Sequence, residues 1–402
     1  MMVTTASRRV TCGTGTVIAG RVLALPPIRD QTAEATATGG AFTRFNLVDF
    51  PPEVVSLVCH EISDRATLAF LCRTSRAFLS IAQHVLYHTV DLEELPESLI
   101  ISFFVAVADR SHLAARVHSL TVQIPGRIMH RNFAEKFAAA LRVCEKMKDL
   151  AILRRKNGFW KKDTDNTWIF DDCQFHLTTF INSYFEFGRK LLPFLENQPH
   201  LRVLAATGDP HGVIHPEVFD PPRVPNVVAV CGDIQFLPKE RPLEKVETSL
   251  IGQRDIDLLP ILRRFSATLT TLNLRFTLWC HPTEVIRLLS DLCPALRHLA
   301  VMELGSRGPI RTLASCLPET PTYLMAFTQL ETFAFILVAG SNEQGDASSK
   351  AWMVVDACPT LRRVVVGDQH RSCMATRTVV GGTVILTEGK RVTLDDVSMF
   401  WE

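Results

Sequence analysis

His281-Pro282-Thr283-Glu284-Val285-Ile286-Arg287-Leu288-Leu289-Ser290-Asp291-Leu292-Cys293-Pro294-Ala295-Leu296-Arg297-His298-Leu299-Ala300-Val301 holds one complete structural unit. Pro282 presets the helical φ at a first helical position, and Glu284 puts a carboxylate in the first turn, so a helix starts here. Val285, Ile286, Leu288, Leu289 and Leu292 recur at helical spacing as one buried stripe. Pro294 cannot donate the next helical hydrogen bond and ends the helix. Leu296 to Val301 then reads as a short strand with Leu and Val on its core side.

The same helix, stop and strand recur at 348–366, where Trp352, Val354, Val355 and Cys358 precede Pro359 and the run Leu361 to Val366. The motif Pro-x-Leu-Arg-x-(Leu or Val) occurs at Pro199–Leu204, Pro294–Leu299 and Pro359–Val364. Looser copies stand at 243–246, 269–274 and 330–335, with further ones at 117–122 and 227–230. Leu243, Leu269, Leu296, Leu330 and Leu361 mark the first apolar position of successive copies. Such self-similarity marks a stack of units, each covering its neighbour's core, and a helix between successive strands makes those strands parallel. The spacing of these leucines lies at or slightly above the leucine-rich repeat range of roughly 20–29 residues. The expected fold is therefore an irregular, leucine-rich-repeat-like α/β solenoid with parallel strands over 91–402, fitting worst at 150–195. An α/β domain without solenoid order, whose strands merely follow prolines, is the competing architecture. Thr378 to Glu402 shows a strand signal at Thr383–Leu386 after Gly381-Gly382 and reads as the cap of the open end.

Working toward the N-terminus, Phe50-Pro51-Pro52-Glu53-Val54-Val55-Ser56-Leu57-Val58-Cys59-His60-Glu61-Ile62 starts a helix of about three turns through its proline pair and Glu53. Val54, Val55, Leu57, Val58 and Ile62 are expected on one apolar side of it. Ser63 or Asp64 can cap a second helix carrying Leu68, Phe70 and Leu71, and a third turn around Ile81 to Leu86 closes the set. About 40 residues in three short helices leave much apolar surface wet, so some of these side chains need a partner.

Residues 50–71 resemble an F-box, and with the repeats behind it the chain is similar to fungal F-box proteins of the diverged, basidiomycete kind. The resemblance spans about residues 46–90 and is only architectural beyond. It implies a three-helix F-box over 45–90 that docks a Skp-type adaptor of an SCF-type cullin-RING ubiquitin ligase, with the repeat domain holding a client protein. Carried over by position, the adaptor-binding residues are Pro51, Pro52, Val54, Val55, Leu57, Val58, Ile62, Leu68 and Leu71. The chain is then a non-catalytic, cytoplasmic or nuclear subunit without cofactor. The alternative is an adaptor-independent scaffold whose N-terminal helices cap the solenoid.

Composition is that of a chain globular for most of its length. At 402 residues and 47% apolar the chain can bury one large or two modest cores, and a net charge of +1 supplies no field for nucleic acid or an anionic membrane. Eleven cysteines without any Cys-x-x-Cys, many between apolar neighbours, read as buried free thiols. The longest apolar run, Leu99 to Ala108, is too short to cross a bilayer and reads as a buried helix. Residues 1–44 are rich in Thr, Ala and Gly without apolar periodicity and are expected to be disordered. Four arginines precede Asp30 there, the charge balance of a transit peptide, but the β-branched and glycine content makes a poor amphipathic helix. Gly13-Thr14-Gly15-Thr16-Val17-Ile18-Ala19-Gly20 misplaces the third glycine of a dinucleotide loop.

Catalytic and metal chemistry finds no constellation in the sequence. His211 and His215 are separated by helix-breaking Gly212 and followed by Pro216, and Asp163-Thr164-Asp165-Asn166 lacks the central glycine and closing glutamate of a calcium loop. Neither a Gly-x-Ser-x-Gly elbow nor a phosphate-binding glycine-lysine loop occurs. The most unusual surface signal is Arg154-Arg155-Lys156-Asn157-Gly158-Phe159-Trp160-Lys161-Lys162, in which Arg154, Arg155, Phe159 and Trp160 are the client-binding candidates. Its plainer reading is a solvated hairpin with Trp160 folded onto the core.

Overall fold

A computed structural model describes residues 51–390 apart from 75, 126–128, 156–161, 207–213, 221–222, 240, 278–281, 305–319, 337–346, 368–370 and 379–381. The expected disordered N-terminus and its glycine motif lie outside the described residues, as does 391–402. Among the described residues the fold is α+β, with thirteen strands that pair in parallel within each unit except at the C-terminal end. The chain forms two compact units, divided between Thr178 and Thr179.

The first unit opens with three helices, α1 (Pro52–Glu61), α2 (Arg65–Thr74) and α3 (Arg76–His88). Helix α3 runs without a linker into β1 (Thr89–Leu92), which pairs in parallel with β2 (Ser119–Ile124), and β2 with β3 (Asp149–Arg154). Helices α4 (Glu97–Ala108) and α5 (Ser111–Ala114) form the first crossover, and α6 (Arg131–Val143) the second. The apolar run at 99–108 is the buried helix α4, with Ile100, Phe103, Phe104 and Val107 inside. Its Phe104 ring stacks on Phe137 of α6 at 4.8 Å and meets Phe133 edge-on at 5.4 Å. These aromatic contacts make the centre of the unit.

The second unit begins with β4 (Thr179–Asn182), α7 (Leu192–Glu196), β5 (Val203–Ala205), β6 (Ala229–Cys231) and β7 (Lys245–Leu250). It continues with α8 (Gln253–Asp257), β8 (Thr271–Thr277), α9 (Pro282–Leu292), β9 (His298–Leu304) and α10 (Thr320–Leu324). The last elements are β10 (Thr332–Ile336), α11 (Ala347–Ala357), β11 (Arg363–Gly367), β12 (Arg371–Arg377) and β13 (Val384–Lys390). Strands β4 to β11 lie side by side in chain order and in parallel, while β12 and β13 turn antiparallel. Short 3₁₀ turns at Pro216–Phe219, Ile234–Phe236 and Leu259–Phe265 stand in the crossovers before β6, β7 and β8.

Register in this ladder reproduces the spacing of the repeats. Lys245 faces Thr271, Thr271 faces His298, His298 faces Thr332 and Thr332 faces Arg363, so that partners are separated by the same intervals as the leucines from Leu243 to Leu361. Each strand starts at the second position after the leucine that marks it. One side of the ladder carries the aligned, buried row Leu272, Leu299, Phe333 and Val364. On the other side Ala300, Ala334, Ile336 and Val365 form a second cluster, with Met302 and Met374 packed on it. Burial on both sides explains why β10 reads Thr-Phe-Ala-Phe-Ile with no polar alternation. The buried Glu247 sits on that second side of β7 and accepts from Asn273 (3.0 Å) and Arg275 (2.5 Å), the pairing a desolvated carboxylate requires.

The first unit repeats as well, up to the start of the stretch expected to fit worst. Thr89 faces Ser119, and Ser119 faces Asp149 across an equal length of chain. Strands β1, β3, β4 and β12 carry no motif that marks them in the sequence. The C-terminal cap is a two-strand antiparallel addition rather than one strand.

Arg377 closes this end chemically. Its buried guanidinium donates to the carbonyl oxygens of Val355 (2.7 Å), Pro359 (3.3 Å) and Cys358 (3.4 Å), satisfying acceptors at the end of α11. Arg377→Met keeps an unbranched apolar stem but strands these carbonyls, and should cost about 1–3 kcal/mol in chemical denaturation; an unchanged midpoint would contradict the cap.

Candidate partner-docking site

Pro51 and Pro52 start α1 as the sequence suggests, with the Pro51 carbonyl accepting from the amides of Val54 (3.0 Å) and Val55 (3.2 Å). The Ile62 amide closes the helix on the Cys59 carbonyl, and extended backbone at Ile62 turns the chain toward α2. Asp64 caps α2, its carboxylate accepting from the amides of Thr67 (2.9 Å) and Ala66 (3.2 Å) and from the Thr67 hydroxyl. Val55, Cys59, Leu68, Cys72, Phe78 and Ala82 form a closed small core, against which Ile62 and Leu71 pack half-buried.

This arrangement corrects the single apolar side expected for α1. Val55, Cys59 and Ile62, spaced i, i+4 and i+7, face inward; Val54, Leu57 and Val58, spaced i, i+3 and i+4, face out. Val54 is 39%, Leu57 66% and Val58 52% exposed, beside the exposed Pro51 and Pro52. Val55 and Leu68, expected to touch the adaptor, belong instead to the core because each is at most 6% exposed. Ile62 and Leu71 are divided between core and surface. Phe70 of α2, 65% exposed, is an outward apolar group absent from the expected set. Its signal is its place between the inward Leu68 and Cys72, where helical geometry turns a side chain away.

The bundle is fastened to the strands behind it. Arg65 donates from Nη2 to the Thr89 carbonyl (2.9 Å), Arg116 from Nη1 to the Ser80 carbonyl (2.6 Å), and the Tyr87 ring stacks on Phe103. The boundary expected at 90/91 thus runs through one compact unit, because α3 and β1 are continuous.

Of the client-binding candidates, Arg154 ends β3 half-exposed and Arg155 follows it in solvent, while Phe159 and Trp160 lie outside the described residues. His215 pairs with Glu186 at 3.2 Å; His211 lies outside the described residues. Asp163 accepts from the amides of Asp165 (2.8 Å) and Asn166 (3.1 Å), so this acidic stretch is a turn that starts the 3₁₀ segment Asn166–Phe170. The eight described cysteines are free and seven are buried; burial pushes the thiols of Cys144, Cys173 and Cys293 up to about 12, where they are protonated and unreactive. Among the described residues no helix is long and apolar enough to cross a membrane.

No family model matches the chain, and no curated protein matches it.

The hydrogen bonds from Thr67, chiefly its hydroxyl, and from Ala66 hold the Asp64 carboxyl below its ordinary range. A lowered folded pKa contributes stability above the unfolded value and loses it as pH falls through the folded one. Asp64→Ala should therefore melt earlier than the parent at neutral pH, and the gap should narrow below about pH 4. Thermal melts of both proteins across this range decide it, and a gap independent of pH would refute the charged cap.

Proposed function

We propose that this chain is the client-recruiting subunit of an SCF-type cullin-RING ubiquitin ligase, with α1 to α3 as an F-box that docks a Skp-type adaptor. The observation that supports this reading best is the two-sided character of α1. A surface helix of a self-contained bundle normally shows solvent a polar face, yet α1 shows it Val54, Leu57 and Val58 after its inner face has already closed a core. An apolar helix face over a satisfied core is suited to a protein partner. In this reading the docking surface is Pro51, Pro52, Val54, Leu57 and Val58 with Phe70, while Val55 and Leu68 hold the helices in position for it. The repeats, irregular and leucine-rich-like, present the client, and no residue of the chain performs bond-making chemistry.

The fastening of the bundle through Arg65 to Thr89 and Arg116 to Ser80 favours a second reading, in which α1 to α3 only cap the repeat stack. The two readings differ in what the outer face of α1 does. In a pull-down with a recombinant Skp-type adaptor, the chain should bind, and Leu57→Asp with Val58→Asp should lower affinity at least roughly thirtyfold, about 2 kcal/mol. Both substitutions sit on exposed positions, so the melting temperature should hold. An adaptor that binds parent and variant alike, or neither, would leave the cap as the better account.

A further inference from the structure

A cavity of about 350 Å³ opens where the end of α1, the start of α2 and the end of α3 meet β1. Its walls carry His60, Arg65, His84 and His88 above apolar Ile62 and Leu68, and no carboxylate lines it among the described residues. Two of the basic groups are held by hydrogen bonds to backbone carbonyls. His60 Nδ1 lies 2.7 Å from the Ser56 carbonyl, which makes Nδ1 the donor. Arg65 is fixed by its bond to the Thr89 carbonyl. His84 stands edge-on to His88 at 5.8 Å, and His88 stacks on His118 at 4.4 Å. That stack follows from the ladder, since the His118 amide bonds the His88 carbonyl and the two rings stand one strand spacing apart.

Two permanently charged groups, Arg116 and Lys146, lie near these walls. Burial first, and then Arg116, His118, His60 and Lys146, push the His84 pKa down. Of the nearby carboxylates, Asp64 is occupied by Thr67 and Ala66, and Asp91, which draws on Arg65, accepts the Glu93 amide. The same residue set is no metal site, for among the described residues no group of three His, Cys, Asp or Glu is arranged to hold an ion. Donors fixed and clustered in this way gain most from an anion placed among them.

We propose that this cavity binds a small organic oxyanion, a phosphate or sulfate ester on an apolar body, whose charged end sits among His60, Arg65, His84 and His88. Ligand pockets span roughly 300–1,000 Å³, so this one takes a single-ring molecule rather than a nucleotide or a peptide. Ile62, Val85 and Leu86, half-buried around the opening, receive the apolar part. Binding favours the protonated imidazoles and therefore strengthens as pH falls through the histidine range. The site is independent of adaptor docking by the outer face of α1, so either can fail while the other stands.

The test is calorimetric titration of the full chain with phenyl phosphate, phenyl sulfate and neutral phenol. At pH 6 either ester should bind while phenol does not, and phenyl sulfate, whose own charge is constant, should bind at least about fivefold more weakly at pH 8. The exposed pair His60→Gln and His84→Gln should lower ester affinity by about tenfold with melting behaviour retained. The absence of saturable ester binding below about 10 mM would overturn the proposal. So would phenol binding as well as the esters, or a variant that binds them undiminished.

Discussion

The peptide carbonyl immediately before most of the parallel strands accepts amides from the next unit, and the register of both ladders rests on it. In the second unit the carbonyl of Arg202 takes the amides of Val228 and Ala229, Val228 those of Glu244 and Lys245, and Glu244 those of Thr270 and Thr271. The series continues through Thr270, Arg297 and Glu331 to the amides of Arg362 and Arg363. In the first unit His88, His118 and Lys148 stand in line, the His118 carbonyl taking both Lys148 and Asp149, and Lys148 taking Thr178. Because the clamp sits at the strand's entry, the crossover length becomes free. Ala229 pairs with Lys245 across a short crossover of one 3₁₀ turn, and His298 with Thr332 across about twice that length, without loss of alignment. A slip of one residue would exchange the two sides of every strand, so a clamp that fixes the first pair protects the whole core.

The residue ahead of each clamp explains what is legible in the sequence. Leu201, Leu243, Leu269, Leu296, Leu330 and Leu361 are fully or almost fully buried, and each is followed by the accepting residue. Pattern alone takes these leucines for the first core positions of strands, whereas they fill the bend before them; hence the offset of two. Their spacing survives that error, since every unit carries it alike. The first unit is harder to see because Tyr87, Val117, Met147 and Leu177 hold the equivalent place with four different side chains, none after a Pro-x-Leu-Arg signal. Their constant interval is nevertheless present, and a search by position rather than by residue type shows it. Strand β12, Arg-Ser-Cys-Met-Ala-Thr-Arg, has weak strand propensity and is held instead by β11 and by the contacts of Arg377.

In the N-terminal helices the elements are legible and their orientation is not. Proline, Glu53 and Asp64 mark the starts through backbone chemistry that does not depend on packing. Which apolar residues of α1 point inward depends on what α2 and α3 offer, and the decisive group is Cys59, fully buried and flanked in the core by Val55 and Cys72. Counted as a thiol rather than as a hydrophobe, it leaves the inner stripe one member short and draws Leu57 and Val58 into it. A free cysteine packs as a small apolar side chain, and restoring it rotates the helix so that Leu57 and Val58 face water.

That rotation bears on why the outer face can stay apolar without unfolding the bundle. Three helices of this size would be marginal alone, but α3 continues into β1, and Arg65 and Arg116 bond across to strand and helix backbone. The helices are thus ordered before any partner arrives. A partner meeting Val54, Leu57 and Val58 would meet a preformed surface, and little ordering entropy would be charged against the contact. Capping and docking are in this sense compatible: the side of the bundle turned to the strands supplies the rigidity, and the outer side of α1, released from the core by Cys59, remains available.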